Sequence, residues 1–254
     1  MWGLKTWRRR RTPSYAAVDE VLWRKICSRF PFLRALTADE KGRLRDLTQR
    51  FLGNKQISGA AELQLTEEMC MVIAAQACLL ILNLGLDYYR DWVEVIVYPG
   101  DFMPRHEYTD EDGVVHVERE PMQGEAWLQG PVILSWEAVQ SGAEDGVNVV
   151  LHEFAHKLDM LNGDTDGFPP LHEDMSREAW MLDFSKAYRD FCARIERGER
   201  TAIDPYAAES PAEFFAVLSE VFFETPQVLK RIYADVYFQL SRFYRQDPAL
   251  RMMH

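Results

Sequence analysis

Apolar residues recur at spacings of three and four along most of this 254-residue chain, which predicts a mostly helical protein. The first such stretch covers residues 16–28 and is broken by Pro31. Thr37 and Glu40 form a capping box that opens a second helix running to about Phe51. Asn54 to Gly59 reads as a turn with a short extended piece. Thr66 opens a third helix through about Leu82, with Met69, Val72, Ile73, Leu79 and Leu80 on its inner side and Gly85 at its end. Residues 176–197 form a long amphipathic helix, and residues 227–244 a further one that Asp247-Pro248 stops.

Between these lie two runs rich in β-branched residues, Val93–Tyr98 and Gly130–Trp136, which read as strands. Glu137 to Gln140 starts a short helix that Gly142 closes. Residues 101–124 are acidic and turn-rich, with room for a short strand at Val114–Val117. If the strand at 130–136 lay at a sheet edge, it could pair with an extended peptide. An interior strand is the plainer expectation.

One apolar helical run carries unusual polar residues: Asn148-Val-Val-Leu-His152-Glu153-Phe-Ala-His156-Lys-Leu-Asp159. Four residues are slightly more than one helical turn, so His152 and His156 share a face and can grip one ion. Imidazole suits zinc, and two such nitrogens with a third protein ligand leave a position for water. Glu153 is expected to act as general base on that water, whose pKa zinc lowers to about 7. A bare five-residue match arises by chance. Here, however, Val149, Val150, Leu151, Phe154, Ala155 and Leu158 surround the pair, and buried histidines and a buried glutamate are costly unless paired or metal-bound.

Spacing leaves the third ligand open. Ser210 is a good N-cap with Pro211 at the first helical position, so Glu213 falls in the first turn of a helix that is apolar on nearly every side. Glu213 could ligate a metal or complete a capping box. Glu220, two turns along the same face, competes with it, and Glu209 and Asp159 are further candidates. Asp159 is expected at the helix end, or orienting His156 or a neighbour. His106 and His116 are expected to be solvated loop or edge-strand histidines, His254 to lie in a disordered tail, and His172 has no metal-ligand spacing. The Asn162–Gly167 loop departs from a calcium-loop pattern and reads as a turn.

Composition narrows the function. Apolar residues make up 47% of the chain, enough for a large core, and the formal net charge of −11 argues against direct nucleic-acid binding. Four scattered cysteines without a C-x-x-C pair suggest reduced thiols and a cytoplasmic setting. No apolar stretch is long enough to span a bilayer. The Arg8–Arg11 run has no hydrophobic segment behind it and reads as a basic tail over residues 1–14 rather than a secretory signal.

The chain resembles the Mlc titration factor A family over nearly its whole length. The resemblance rests on His152–Asp159, on Gln129-Gly-Pro-Val-Ile-Leu-Ser-Trp136, on Tyr206-Ala-Ala-Glu-Ser-Pro-Ala-Glu-Phe-Phe-Ala-Val-Leu-Ser-Glu220 and on Phe243-Tyr-Arg-Gln-Asp-Pro248. The family is similar to gluzincin peptidases and to the catalytic core of anthrax lethal factor. By that resemblance Glu213 is the third zinc ligand, and Tyr206 lies in the active site, where it can hydrogen-bond an oxyanion. The resemblance also implies an aminopeptidase-like zinc peptidase of the bacterial cytosol, with one Zn2+ per chain. It further implies binding and inactivation of the Mlc transcription repressor of sugar phosphotransferase genes. The expectation is therefore one α+β zincin-like domain over residues 1–254, mostly helical with a small mixed sheet. Residues 15–90 would form its helical N-terminal part and residues 91–254 its catalytic part. The alternative is a repressor-sequestering protein whose peptidase activity is vestigial. A closed structural zinc site is disfavoured, because it has no use for Glu153.

Overall fold

A computed structural model describes residues 18–103, 106–109, 115–118, 122–128, 130–141 and 147–251, with side chains outside 106–109 and 115–118. The basic stretch 1–14, residues 16–17, Gln129, Gly142, His254 and the side chains of His106 and His116 lie outside what is described.

The first helix, α1 (Glu20–Arg29), begins later than its periodicity suggested, because Asp19 serves as N-cap and accepts the Leu22 N–H at 2.7 Å. Pro31 does not only end a helix. With its φ already set, it opens the short α2 (Pro31–Arg34). The Thr37–Glu40 capping box starts α3 (Ala38–Asn54), with both reciprocal hydrogen bonds in place. After β1 (Gln56–Gly59) comes α4 (Glu67–Leu80), buried from Met69 onwards. A 3-10 turn (Leu86–Tyr89) leads into β2 (Glu94–Tyr98). Two strands, β3 (His106–Thr109) and β4 (Val115–Glu118), form an antiparallel pair, so the short strand expected near Val114 is real. Next are β5 (Gly124–Ala126), β6 (Val132–Ser135), α5 (Trp136–Ser141) and α6 (Val149–Asp159). Then come α7 (Arg177–Glu196), a 3-10 turn (Pro205–Ala208) and α8 (Pro211–Glu224). The stretch 227–244, expected as one helix, is two. These are α9 (Pro226–Ile232) and α10 (Ala234–Tyr244), divided where Tyr233 leaves helical dihedrals at φ −132°, ψ 70°. Pro248 opens a last turn, α11 (Pro248–Arg251), where only a tail was expected.

Four strands form one mixed sheet in the order β1-β2-β6-β5. The first three run parallel, and β5 closes one edge antiparallel to β6, with Gly124 opposite Leu134. The strand at 130–136 is therefore interior, and the edge belongs to β5. Val95, Val97, Val132 and Leu134 point to the buried face, following the two-residue period of a strand. Helix α6 packs beneath β5 and β6 and against α4 and α8. Phe154 on its inner side meets Phe51, Tyr89 and Trp92 edge-on or tilted, with ring centroids 5.3–5.9 Å apart. One apolar cluster extends from Trp23 to Ala249 and joins the N-terminal helices to the C-terminal ones. The architecture is α+β: mostly helical, with a small mixed sheet. All four cysteines are free thiols. Among the described residues no helix is long and apolar enough to cross a membrane.

Candidate metal centre

Helix α6 is docked at its N-terminus by polar contacts before any functional side chain appears. The Asn148 side chain caps it, accepting the Leu151 N–H at 3.0 Å. The same amide donates to Gln76 of α4 at 2.7 Å and to Glu224 of α8 at 3.0 Å. These bonds fix the helix lengthwise, while Phe154 and its aromatic neighbours fix its rotation. His152 and His156 then emerge together on the face turned towards α8.

Helix α8 supplies the carboxylate between them. Ser210 caps it by accepting the Glu213 N–H at 3.1 Å, so Glu213 stands in the first turn. Its side chain turns to the histidines instead of reaching back to close a capping box. Glu213 Oε2 lies 2.9 Å from His152 Nε2 and 3.3 Å from His156 Nε2, and the two ring nitrogens are 3.2 Å apart. Glu213, His152 and His156 are thus a potential metal-binding triad.

These separations fit a metal. Ligands held tetrahedrally at zinc-like bond lengths stand about 3.3 Å from one another. Two imidazole nitrogens facing each other this closely also cannot both point lone pairs inward comfortably without a cation between them. Electrostatics agrees. Burial opposes charge on His152, yet Glu213 and Glu220 outweigh it and hold the imidazole pKa well above its usual value. Burial likewise pushes Glu213 upward, but its bonds from His152 and His156 win and bring it to about 2. The triad is set up for positive charge at its centre.

Glu153, one residue along from His152, points elsewhere. Its carboxylate is buried under β5, and Gly124 makes room for it. Burial is the main reason its pKa rises to about 8; carboxylates at Glu213, Glu220 and Glu125 add to the rise, and only His152 opposes it. Cationic charge at the triad would draw it down again. Around these groups is a cleft of about 170 Å³, lined also by β5, Met122, Met160, Thr165 and Tyr206. Tyr206 is 47% exposed, with its ring 6.0 Å from that of His152, and partial burial, helped by the nearby Glu213 and Glu153 carboxylates, pushes its phenol up to about 12.

The other candidates go to different places. Glu220 is no rival to Glu213 for the centre: it sits on the opposite ring nitrogen, its Oε1 2.7 Å from His152 Nδ1. Glu209 is exposed beside the Pro205–Ala208 turn, outside the triad. Asp159 is fully buried at the last turn of α6, as expected of a helix-end residue. Its Oδ2 accepts the Gly167 N–H at 2.8 Å, and no hydrogen bond joins it to His156. His172 packs away from the site, with Nε2 2.8 Å from the Phe243 carbonyl. The Asn162–Gly167 turn is held by its own side chains, with Asn162 Oδ1 accepting from Asp164 N at 3.3 Å and Asp166 Oδ1 from Phe168 N at 3.0 Å. Two features escaped the sequence. Strand β5 is only three residues long, and Gly124 has meaning only once Glu153 is seen beneath it.

The family model described as glucose-regulated metallo-peptidase M90 matches residues 4–245. Mlc titration factor A of Salmonella arizonae is 39% identical over 225 residues, covering 87% of this chain and 90% of the relative. Mlc titration factor A of Escherichia coli O1:K1 is 37% identical over 235 residues, covering 91% and 88%. The protein of the same name from Escherichia fergusonii is 35% identical over 249 residues, covering 97% and 92%.

Proposed function

Because this chain belongs to the glucose-regulated metallo-peptidase M90 family, we propose that it is a zinc peptidase of aminopeptidase type, with His152, His156 and Glu213 as the metal ligands. The observation that carries this reading is the convergence of three ligand atoms at 2.9–3.3 Å beside a buried, proton-accepting carboxylate. A zinc ion in this donor set supplies Lewis acidity, polarising a carbonyl and lowering the pKa of water.

The chain's own groups supply the rest. Glu153 takes the proton of the attacking water on its carboxylate and returns it to the leaving amine. Tyr206, which keeps its proton at neutral pH, donates a hydrogen bond to the oxyanion that develops on the substrate carbonyl. Edge strand β5 offers main-chain groups to an extended peptide, which would bring its carbonyl over the triad. One core cluster runs through both the N-terminal and catalytic parts, so we read the chain as one catalytic domain.

The relatives carry the name Mlc titration factor A, and on that ground we include an Mlc-type transcription repressor among the partners, with action in the cytoplasm. The net charge of −11 favours contact with the repressor rather than with DNA. The competing reading, repressor binding with vestigial catalysis, draws on the same relatives.

A panel of amino-acid and peptide chromogenic substrates tests the proposal, each supplied with a free and an acetylated N-terminus. The expected result is hydrolysis of the free-amine set, abolished by a chelator and restored by zinc. Equal cleavage of both sets would remove the aminopeptidase assignment. No cleavage of either, together with release of the repressor from its operator, would favour the competing reading.

A further inference from the structure

We infer that Glu220 is a positioning residue for the metal centre, one carboxylate that ties the His152 ring to the start of the helix carrying it. The inference rests on the metal reading above.

Helix α8 places Glu213 and Glu220 seven residues apart. Seven steps of 100° fall only about 20° short of two full turns, so the two carboxylates share a face and are separated by about 10 Å along the axis. His152 lies between them. Glu213 Oε2 approaches its Nε2, and Glu220 Oε1 its Nδ1 at 2.7 Å. A metal takes the Nε2 lone pair only if the ring proton sits on Nδ1, and Glu220 is the acceptor that keeps it there.

The other oxygen of Glu220 reaches further. Oε2 accepts the backbone N–H of Asn148 at 2.5 Å, at the N-cap of α6. The carboxylate therefore holds the ring and the first turn of its helix in one grip, and Glu220 is itself only 3% exposed. His156 has no counterpart: its Nδ1 is buried and meets no hydrogen-bond partner among the described residues. The two histidines of the triad are unequally supported, and His152 is the anchored one.

Glutamine cannot reproduce the grip. It offers one oxygen and one amino group, so accepting from His152 sets two donors against each other at Asn148, and the reverse choice abandons the ring. Glu224 is the control. It lies four residues along the same helix and bonds the same Asn148, through the side-chain amide, without touching His152. Glutamine there keeps an acceptor for that bond.

The experiment is zinc affinity of the full chain by chelator competition for wild type, Glu220→Gln and Glu224→Gln, with melting temperature of each metal-free protein. Glu220→Gln should bind zinc about 10- to 100-fold more weakly. Glu224→Gln should stay within about twofold of wild type. Unchanged affinity in Glu220→Gln, or an equal fall in both variants, overturns the assignment. A wild type that binds no zinc overturns the metal reading and this inference with it.

Imidazole ¹⁵N–¹H spectra of zinc-loaded wild type need no variant. They should show a downfield, slowly exchanging proton on His152 Nδ1. Metal found on Nδ1, with the proton on Nε2, overturns the proposal even if Glu220→Gln fails to fold.

Discussion

A β-carbon at Gly124 would overlap Oε1 of Glu153 and stand 2.6 Å from its Cγ, inside van der Waals contact with both. The edge strand and the buried carboxylate of α6 thus occupy adjoining space, and the glycine is what allows it. Val149 Cγ2 would stand 2.6 Å from the same point and crowd it further. Gly124→Ala should push Glu153 or the strand aside without touching the triad. The expected outcome is full zinc content with a loss of about 100-fold in kcat/KM, the scale of effect from misplacing a reacting group by about an ångström. Steady-state kinetics with metal analysis on the same sample checks it. Wild-type turnover would show that Glu153 does not act from its seat under β5.

His156→Ala and Glu213→Gln each remove one corner of the triad. Both should lose stoichiometric zinc, and hydrolysis should fall to background. Dialysis against metal-free buffer followed by elemental analysis reads this directly. A Glu213→Gln protein that still holds one zinc per chain would return the third-ligand role to another residue.

Asp159 makes a prediction in pH. Burial raises its pKa from the ordinary 3.8 to about 6, against hydrogen bonds from Gly167 and Phe168 and the pull of His156. A carboxyl whose pKa is higher folded than unfolded binds its proton more tightly in the folded state. It therefore favours folding below the unfolded value, and that contribution is lost as pH rises from about 4 to about 6. A rise from 3.8 to about 6 corresponds to a loss of order 3 kcal/mol. Asp159→Asn keeps an acceptor for Gly167 and cannot ionise. Denaturant midpoints of the metal-free proteins between pH 4 and 7 should converge at the acid end and separate in the variant's favour above pH 6. Parallel curves would mean that Asp159 does not titrate in this window.

Metal and fold should be linked. The proposed centre gathers two histidines and a glutamate that only the folded chain brings together, so zinc held there would bind the native state preferentially. Free zinc at a hundred times its dissociation constant adds about 2.7 kcal/mol, which for a chain of this size raises Tm by about 5–10 °C. Calorimetric scans with zinc and with chelator should show that difference. Coincident melts would mean that no metal is bound by the native state.

The sequence made some of this legible and hid the rest for physical reasons. Helix caps are local chemistry, so Thr37 with Glu40 and Ser210 with Pro211 mark true helix starts. His152 and His156 share a face because helical period alone puts them there. The third carboxylate depends on how α8 packs against α6. Spacing within α8 could not separate Glu213 from Glu220, and resemblance to a family was needed to choose. The structure shows why both looked suitable: they approach the same imidazole from opposite sides. Strand β5 is three residues long and inherits its conformation from pairing with β6, so no local periodicity announces it. The break at Tyr233 likewise falls within a continuous apolar pattern, without the proline or glycine that would have flagged it.

The proposed division of labour, with Glu153 moving the proton and His152, His156 and Glu213 holding the metal, is decided by zinc content and hydrolysis of the same peptide substrate, measured side by side for wild type and Glu153→Gln. About one zinc per chain is expected in both proteins, with a fall of about 10²- to 10⁴-fold in kcat for the variant. A zinc-loaded Glu153→Gln enzyme that turns over at the wild-type rate would contradict it.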